Sequence, residues 1–293
     1  LIWSIDQVNA ELDSLQNKGQ ILASNLGLNL DDMLFEYGAR INYNLVKDLN
    51  SSLIPVAIPS AGQQTQIDMA PWLYYPVLIP DTSNNLVKNI DGIRSQFTST
   101  VDTIGIANVN KQIILRTSSY NSISETPKML SLQTVAEQPT QQEYASTAKA
   151  IGVLLEGSFK SVFFNRPVPV GITENYNLPA NSKPAKMIVL GDGDIFINQV
   201  SKTDGMSFPL GFDRYTQQNY GNKALLLNIA DYFTDDDNLI ALRNKEIKVR
   251  LLDKVLLRTD KTKWQLINAI FPLLMLICFA TFQHYYRKYK YAK

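Results

Sequence analysis

Histidine and cysteine are almost absent from this chain of 293 residues. It holds one of each, Cys278 and His284, and both fall within an apolar segment near the C-terminus. A single cysteine forms no internal disulfide. Because the rest of the chain offers neither a thiol nor an imidazole, Ser-His-Asp catalysis, Cys-His catalysis and zinc sites built on these ligands are excluded there.

Nucleotide-binding motifs and an imbalance of charge are also missing. The chain has no GxxxxGK[ST] sequence, and no GxGxxG sequence follows an apolar strand. Its 28 basic residues nearly balance its 27 acidic residues, and no basic run precedes the C-terminal segment. We therefore expect no nucleotide held by a P-loop, no nucleic-acid partner and no cofactor.

What the chain does contain is one long apolar segment at its C-terminal end. Residues 264–286 carry no formal charge, and a helix of this length extends about 35 Å, which is enough to cross a bilayer core. Trp264, Tyr285 and Tyr286 occupy the positions of an aromatic belt. We predict a transmembrane helix over 261–286 and a short basic tail over 287–293. The alternative is a C-terminal helix that is buried or docked on a partner.

Two further properties of this segment concern its neighbours. Asn268 is the candidate residue for a hydrogen bond to another membrane helix, although near the membrane interface it would need no such partner. Basic residues are equally numerous on both sides of the segment, so their distribution does not predict its orientation. They are Lys254, Arg258, Lys261 and Lys263 before it, and Arg287, Lys288, Lys290 and Lys293 after it.

The residues before this segment, 1–260, are enough for one large or two small domains with a proper core. The polar stretch 133–148, rich in Gln, Thr and Ser, is a candidate boundary between two sub-regions. Residues 1–5 have the apolar character of a strand interior, so we expect further sequence of the first domain to precede them. Two short helices are predicted, one over 28–38 that ends at Gly38 and an amphipathic one over 221–233. Residues 6–18 also have apolar residues at helical spacing, and Gly19 ends that segment.

The clearest local pattern is an apolar strand followed by a turn of glycine and aspartate. Residues 187–190, MIVL, run directly into Gly191-Asp192-Gly193-Asp194. This pattern is typical of parallel sheets, which place ligand groups at the carboxyl ends of their strands, and it predicts an α/β fold with a mostly parallel sheet flanked by helices. Asp192 and Asp194 are candidate ligand-binding or metal-binding carboxylates. The alternative is that they shape the turn and cap the next helix.

A second candidate site is the aromatic stretch 69–80, MAPWLYYPVLIP. Trp72, Tyr74 and Tyr75 could form a platform for a sugar or a peptide. The alternative is that these rings pack onto the core of the domain.

Several segments together resemble a known family. In this order, and followed by a terminal helix, they resemble the C-terminal half of GldG, the gliding-motility accessory subunit of ABC transporters in Bacteroidota, and thereby the ABC-transporter auxiliary domain family. The resemblance covers nearly the whole chain. The segments are LGLNLDDMLFEYGARINYNLVKDLN (26–50), IGVLLEGSFKSVFFNR (151–166), MIVLGDGDIFINQ (187–199), YGNKALLLNIADYF (220–233) and LIALRNKEIKVRLLDK (239–254).

The resemblance implies an extracytoplasmic α/β domain with amidotransferase-like or Rossmann-like layers. Such a domain lies on the periplasmic side of the inner membrane, with the C-terminus cytoplasmic, and works beside a separate ABC permease, a separate ABC ATPase and other cell-envelope components. The implied role in gliding motility is non-catalytic, and no ligand residues carry over onto this sequence. The residues themselves leave two alternatives: a membrane-anchored glycan-binding or solute-binding module at Trp72, and a carboxylate-dependent enzyme at Asp192 and Asp194.

Overall fold

The computed structural model of the chain describes residues 1–58, 66–136, 139–164, 166, 171, 179–201, 203–235 and 261–291. The strands are β1 (Ile2–Ser4), β2 (Val8–Asn9), β3 (Gln20–Asn25), β4 (Ala39–Ile41), β5 (Asn44–Asp48), β6 (Ser51–Ile58), β7 (Gln66–Pro80), β8 (Ile93–Arg94), β9 (Val101–Thr103), β10 (Val109–Arg116), β11 (Asn121–Glu125), β12 (Lys128–Ser131), β13 (Ala150–Gly157), β14 (Ala185–Leu190), β15 (Phe212–Asp213) and β16 (Gln218–Asn219). The helices are α1 (Leu12–Lys18), α2 (Asp31–Tyr37), α3 (Gln141–Tyr144), α4 (Asn222–Thr234) and α5 (Lys261–Tyr291), with 3-10 turns at Leu132–Ala136 and Asp194–Phe196.

The chain forms two compact units, Leu1–Asn244 and Lys245–Lys293. The stretch 133–148, expected as a candidate boundary, lies inside the first unit and contains a 3-10 turn and α3. The segment 239–254, which contributed to the family resemblance, lies outside the described residues.

A seven-stranded sheet forms the centre of the first unit. Its strands follow the order β1-β14-β13-β10-β7-β6, and β8 also pairs with β7. The β1–β14 pair is parallel, whereas the other five pairings of this sheet are antiparallel. The expectation of a mostly parallel sheet is therefore wrong, although the α/β class is correct.

The apolar strand 187–190 led to the wrong direction because burial and strand direction are separate properties. Ile188 and Leu190 pack with Leu225 and Ile229 of α4 on one face of the sheet. Val189, on the opposite face, packs in a cluster that also holds residues of α2, β4 and β9. An apolar run indicates that both faces of a strand are covered, and a strand with an antiparallel neighbour meets that condition equally well.

The two predicted helices of this unit are present. The first is α2, which ends where predicted, because Gly38 adopts a φ of 103° and its N–H bonds to the carbonyl of Leu34. The second is α4, which places Leu225 and Ile229 in the core.

Smaller sheets surround the central one: β5 with β11, β4 with β9, β15 with β16, and the three strands β2, β3 and β12. A third apolar cluster lies among these elements and includes Leu45, Ile54, Trp72, Tyr75 and Phe97.

The described part of the second unit is α5, the expected C-terminal helix. Its stretch Gln265–Tyr291 is long and apolar enough to cross a membrane, and its apolar residues are exposed. The helix continues to Tyr291, so residues 287–291 of the expected basic tail are helical. Pro272 lies within it, which transmembrane helices tolerate better than soluble ones.

Candidate functional site

The carboxyl ends of β1 and β14 lie at one edge of the sheet, because these two strands are parallel neighbours. β1 is followed by Asp6, and β14 is followed by Asp192 and Asp194. One carboxylate oxygen from each of these three residues lies within 4.8 Å of the other two. The structure thus joins the predicted pair, Asp192 and Asp194, to a third carboxylate.

Sequence reasoning missed Asp6, although a signal for it is present. The segment LIWSID ends an apolar strand with an aspartate, as MIVLGD does. What the sequence did not show is that these two strands are neighbours and parallel, because the two aspartates stand 186 positions apart. Only the pairing of β1 with β14 brings them to the same place.

Glycines allow the backbone to approach closely at this edge. A Cβ atom on Gly193 would lie 2.5 Å from Asp6 Oδ2, and one on Gly191 would lie 2.2 Å from the carbonyl oxygen of Ser99. Both distances are shorter than carbon–oxygen contact permits. Packing against the backbone of Ser99 therefore requires glycine at position 191, whereas a larger residue at position 193 would have to displace the side chain of Asp6.

Hydrogen bonds from backbone N–H groups hold two of the three carboxylates. Asp192 is fully buried, and its Oδ2 and Oδ1 accept the N–H groups of Gln96 at 2.7 Å and Asp194 at 2.6 Å. Asp6 Oδ1 accepts the N–H of Gly193 at 2.7 Å. These bonds tie the turn after β14 to the segments that follow β1 and β8, so Asp192 has a clear part in shaping the turn.

The close approach of three acids in a buried place changes their proton affinity. Burial, and then the charges of Asp194 and Asp6, raise the pKa of Asp192 well above its ordinary value. Burial, and then the charge of Asp6, raise the pKa of Asp194 to about 6. Burial also raises the pKa of Asp6, against the N–H of Gly193. Such a cluster can hold protons near neutral pH, or offer its oxygens to a divalent cation.

Asp194 also lines a cleft of about 490 Å³ in the first unit. Residues from six places in the chain line this cleft: the start of α1, β7, the end of β8 with the residues after it, the turn after β14, residues 199–201 and the segment after β15. They bring two arginines, Arg94 and Arg214, into the same space as the acidic side chains of Glu11 and Asp194. Sequence reasoning identified neither arginine, because each is isolated in the sequence.

The structure places Trp72 in the core. Its side chain is 1% exposed, and its ring packs against Tyr74 with the centroids 5.4 Å apart. Tyr75 is also buried and packs edge-on against Phe97. A sugar platform requires an exposed ring face, and these rings lie instead within the apolar cluster.

Asn268, the candidate for contact with another membrane helix, lies on α5 and is exposed. The hydroxyl of Thr281, one of the other polar groups of this helix, donates to the carbonyls of Ile277 and Cys278 within the helix, at 2.9 Å each. An exposed amide on an apolar helix is costly in lipid unless it finds a partner.

Comparison with known proteins identifies the family. A family model described as "ABC-type uncharacterized transport system" matches residues 1–229, which is most of the first unit and well over half of the chain. No curated protein and no solved structure shows a significant match. The matched region contains Asp6, Asp192, Asp194 and both arginines of the cleft. The chain therefore belongs to the family of auxiliary components of ABC-type uncharacterized transport systems.

Proposed function

We propose that this chain is a non-catalytic, membrane-anchored accessory subunit of an ABC transport complex that serves gliding motility. It binds the permease and ATPase subunits and couples them to other components of the cell envelope. ATP is hydrolysed by a different chain. The first unit lies on the periplasmic side of the inner membrane, and α5 crosses the membrane with its C-terminal end in the cytoplasm.

The observation that carries this proposal is the family match over residues 1–229, joined in one chain to a helix that is able to cross a membrane. The absence of histidine and cysteine from residues 1–260 supports a role in binding, because the thiol nucleophile and the imidazole general base are missing. Gliding motility and the orientation rest on the resemblance to GldG described above.

The test of the complex is a pull-down of the full chain from native membranes in mild detergent, followed by mass spectrometry. We expect an ABC ATPase and a polytopic permease to be recovered in a constant ratio. Recovery of the chain alone, even after crosslinking, would contradict the proposal. Loss of colony spreading on deletion of the gene, restored by the full chain, tests the connection to gliding.

The contact made by α5 is tested with Asn268→Ala. If Asn268 donates to a permease helix, its loss removes a hydrogen bond worth about 1 kcal/mol in a membrane and lowers the recovered permease several-fold. Thr281→Val is the matched control, because the hydroxyl of Thr281 is satisfied within its own helix. Equal recovery with both variants would exclude Asn268 as the contact.

A metal-assisted carboxylate enzyme is the second candidate, and the approach of three carboxylates to within 4.8 Å favours it. Titration of Mg²⁺, Ca²⁺ and Mn²⁺ into the full chain, followed by calorimetry, tests it. Binding that is lost in Asp6→Asn and kept in Asp68→Asn, an exposed acid on β7, would support this candidate. A chain that binds none of the three cations at millimolar concentration would remove it.

The glycan-binding alternative at Trp72 has less support. Because Trp72 and Tyr75 are 1% exposed, a sugar could reach them only after the cluster around them opened.

A further inference from the structure

The cleft of about 490 Å³ introduced above has the volume of a small-molecule site, within the range of roughly 300–1,000 Å³ that such sites occupy. We call it the arginine cleft and define it by Glu11, Tyr75, Arg94, Asp194, Arg214 and Tyr215, all of which line it. It lies inside the first unit, beside the carboxyl ends of two parallel strands, which is where α/β proteins place ligands.

Arg94 presents a guanidinium group that the described part of the protein leaves without an acceptor. Its backbone is fixed, because its N–H donates to Asn222 Oδ1 at 3.0 Å and its carbonyl accepts from Asn222 Nδ2 at 2.8 Å. Its guanidinium lies 5.3 Å from the ring centroid of Tyr75. Among the described residues, its buried Nε has no hydrogen-bond partner, and Arg94 joins no ion pair.

An unpartnered guanidinium in a cleft is suited to an external anion, and to a carboxylate in particular. A guanidinium binds a carboxylate through two parallel N–H···O bonds. A ligand carboxylate in the cleft would accept from the part of the Arg94 guanidinium that lines it.

Arg214 has a different role, because its guanidinium already donates hydrogen bonds to residues that line the cleft. Its Nη1 donates to the carbonyl of Val200 at 2.6 Å, and its Nη2 donates to the hydroxyl of Tyr215. It therefore adds positive potential to the cleft and holds Tyr215, whereas Arg94 keeps its hydrogen-bonding capacity for a ligand.

Acidic groups line the same cleft. Asp194 lines it from the turn after β14, and Glu11 and Asp13 line it from the start of α1. Neither Asp194 nor Glu11 forms an ion pair with Arg94 within 4.0 Å among the described residues. Positive and negative groups thus share one cavity without neutralising each other by direct contact. A simple anion would be repelled by the acids, and a simple cation would be repelled by the arginines.

We propose that the arginine cleft binds a small zwitterion of the amino-acid or short-peptide type, with its carboxylate on Arg94 and its ammonium group between Asp194 and Glu11. The ring of Tyr215, which is exposed, forms a wall for the apolar part of such a ligand. This assigns a binding site to the first unit and goes beyond the accessory role, which requires only contacts with other subunits.

The experiment uses the full chain in detergent micelles and three probes, measured by saturation-transfer NMR and calorimetry. L-alanyl-L-alanine carries both charges, N-acetyl-L-alanine carries only the carboxylate, and L-alaninamide carries only the ammonium group. We expect the dipeptide to bind roughly tenfold to a hundredfold more tightly than either half, because each half lacks one charge-assisted contact.

Variants locate each end of the ligand. Arg94→Gln should weaken the dipeptide and N-acetyl-L-alanine and leave L-alaninamide unchanged, whereas Asp194→Asn should weaken the dipeptide and L-alaninamide. Arg116→Gln is the matched control, because Arg116 pairs with Asp81 away from this cleft. Arg94→Lys keeps the positive charge but cannot form two parallel hydrogen bonds to a carboxylate. It replaces Arg94→Gln if thermal unfolding shows that Arg94→Gln is misfolded.

The proposal is overturned if the dipeptide does not bind, if it binds no better than its halves, or if binding survives both Arg94→Lys and Asp194→Asn. The pull-down described above is repeated with the same variants. Intact recovery of permease and ATPase with no dipeptide binding would refute the ligand site alone. Dipeptide binding by a chain that recovers no partners would refute the accessory role alone.

Discussion

The two units of this chain place their side chains in opposite surroundings. In the first unit, charged groups are buried: Asp48 and Asp192 are fully enclosed. In α5, apolar groups are exposed: Ile267 is 42% exposed and Leu276 is 66% exposed. A buried carboxyl group is unfavourable unless it has hydrogen-bond partners, and an exposed apolar surface is unfavourable in water.

The buried charges find their partners inside the protein. Asp48 accepts the N–H of Ser118 at 2.7 Å, and Asp192 accepts those of Gln96 and Asp194. The apolar face of α5 has no such cover among the described residues, while its backbone bonds are satisfied within the helix. A helix with these properties is stable in hydrocarbon. These two buried carboxyl groups are thus satisfied within the first unit, whereas α5 requires a lipid or protein environment.

The largest expected effect is on the buried apolar cluster of the first unit. Trp72→Ala should lower the free energy of unfolding by about 3–5 kcal/mol, because it leaves a cavity among fully enclosed side chains. Pulse proteolysis in urea measures this. Ile67→Ala, on the same strand but 70% exposed, is the control and should change stability by less than about 0.5 kcal/mol. Equal losses from the two variants would contradict the placement of Trp72.

A charge introduced in the middle of α5 tests whether this helix spans a membrane. Leu274→Arg should disfavour membrane insertion by about 3 kcal/mol and release the chain from membranes on carbonate extraction. Tyr289→Arg, near the end of the helix among basic residues, should leave extraction unchanged. Unfolding of the first unit should be the same in both. Retention of Leu274→Arg in the membrane would argue against a spanning helix.

Crowding at the turn formed by residues 191–194 should change the free energy of unfolding by a smaller amount. Gly191→Ala places a methyl group against the carbonyl of Ser99, and we expect a loss of about 1–3 kcal/mol in the free energy of unfolding. Gly105→Ala meets no atom within 4 Å and serves as the control in the same urea titration. If the two glycines prove equally tolerant, the close approach at Ser99 is not required for folding.

The smallest expected effect is a change in pH dependence. Burial and the charge of Asp6 raise the pKa of Asp194 from 3.8 to about 6. Between these values the folded chain binds the proton more tightly than the unfolded chain does, so stability falls as the pH rises from about 4 to about 6. Asp194→Asn should remove this loss, so that it is more stable than the original chain at pH 7 and differs little from it at pH 4.

Urea titrations across this pH range make the measurement. Gly105→Ala changes no titratable group and should keep the original pH profile. A profile of Asp194→Asn that runs parallel to the original at every pH would show that the carboxyl of Asp194 titrates normally.

Local signals predicted the elements that local forces determine. The length and apolar character of 264–286 predicted α5, and Gly38 predicted the end of α2, because a left-handed φ at glycine stops a helix wherever it is packed. The turn of Gly191 to Asp194 predicted a strand end with carboxylates. In each case the relevant residues are contiguous in the sequence, so no distant partner is needed.

Long-range features were predicted less well. The predicted strand direction in the sheet was wrong. The apolar run 187–190 indicates that both faces of the strand are covered, but it does not indicate the direction of β13 beside it. Asp6 was missed because its meaning depends on β14, far along the chain. Arg94 and Arg214 carry no sequence signal, since the cleft that they line is formed by segments from distant parts of the chain.

By itself, the sequence determined that the chain carries one membrane-compatible helix, that thiol and imidazole chemistry are missing from residues 1–260, and that the family is that of ABC transport accessory components. These conclusions depend on composition and on the order of residues along the chain, so they do not require knowledge of the fold. Only the tertiary structure places Trp72 in the core, joins Asp6 to Asp192 and Asp194, and brings Arg94 and Arg214 into the cleft beside them. These features depend on which strands pair. Many distant segments could pair with one another, and burial and hydrogen bonding select one arrangement only when the whole chain packs together.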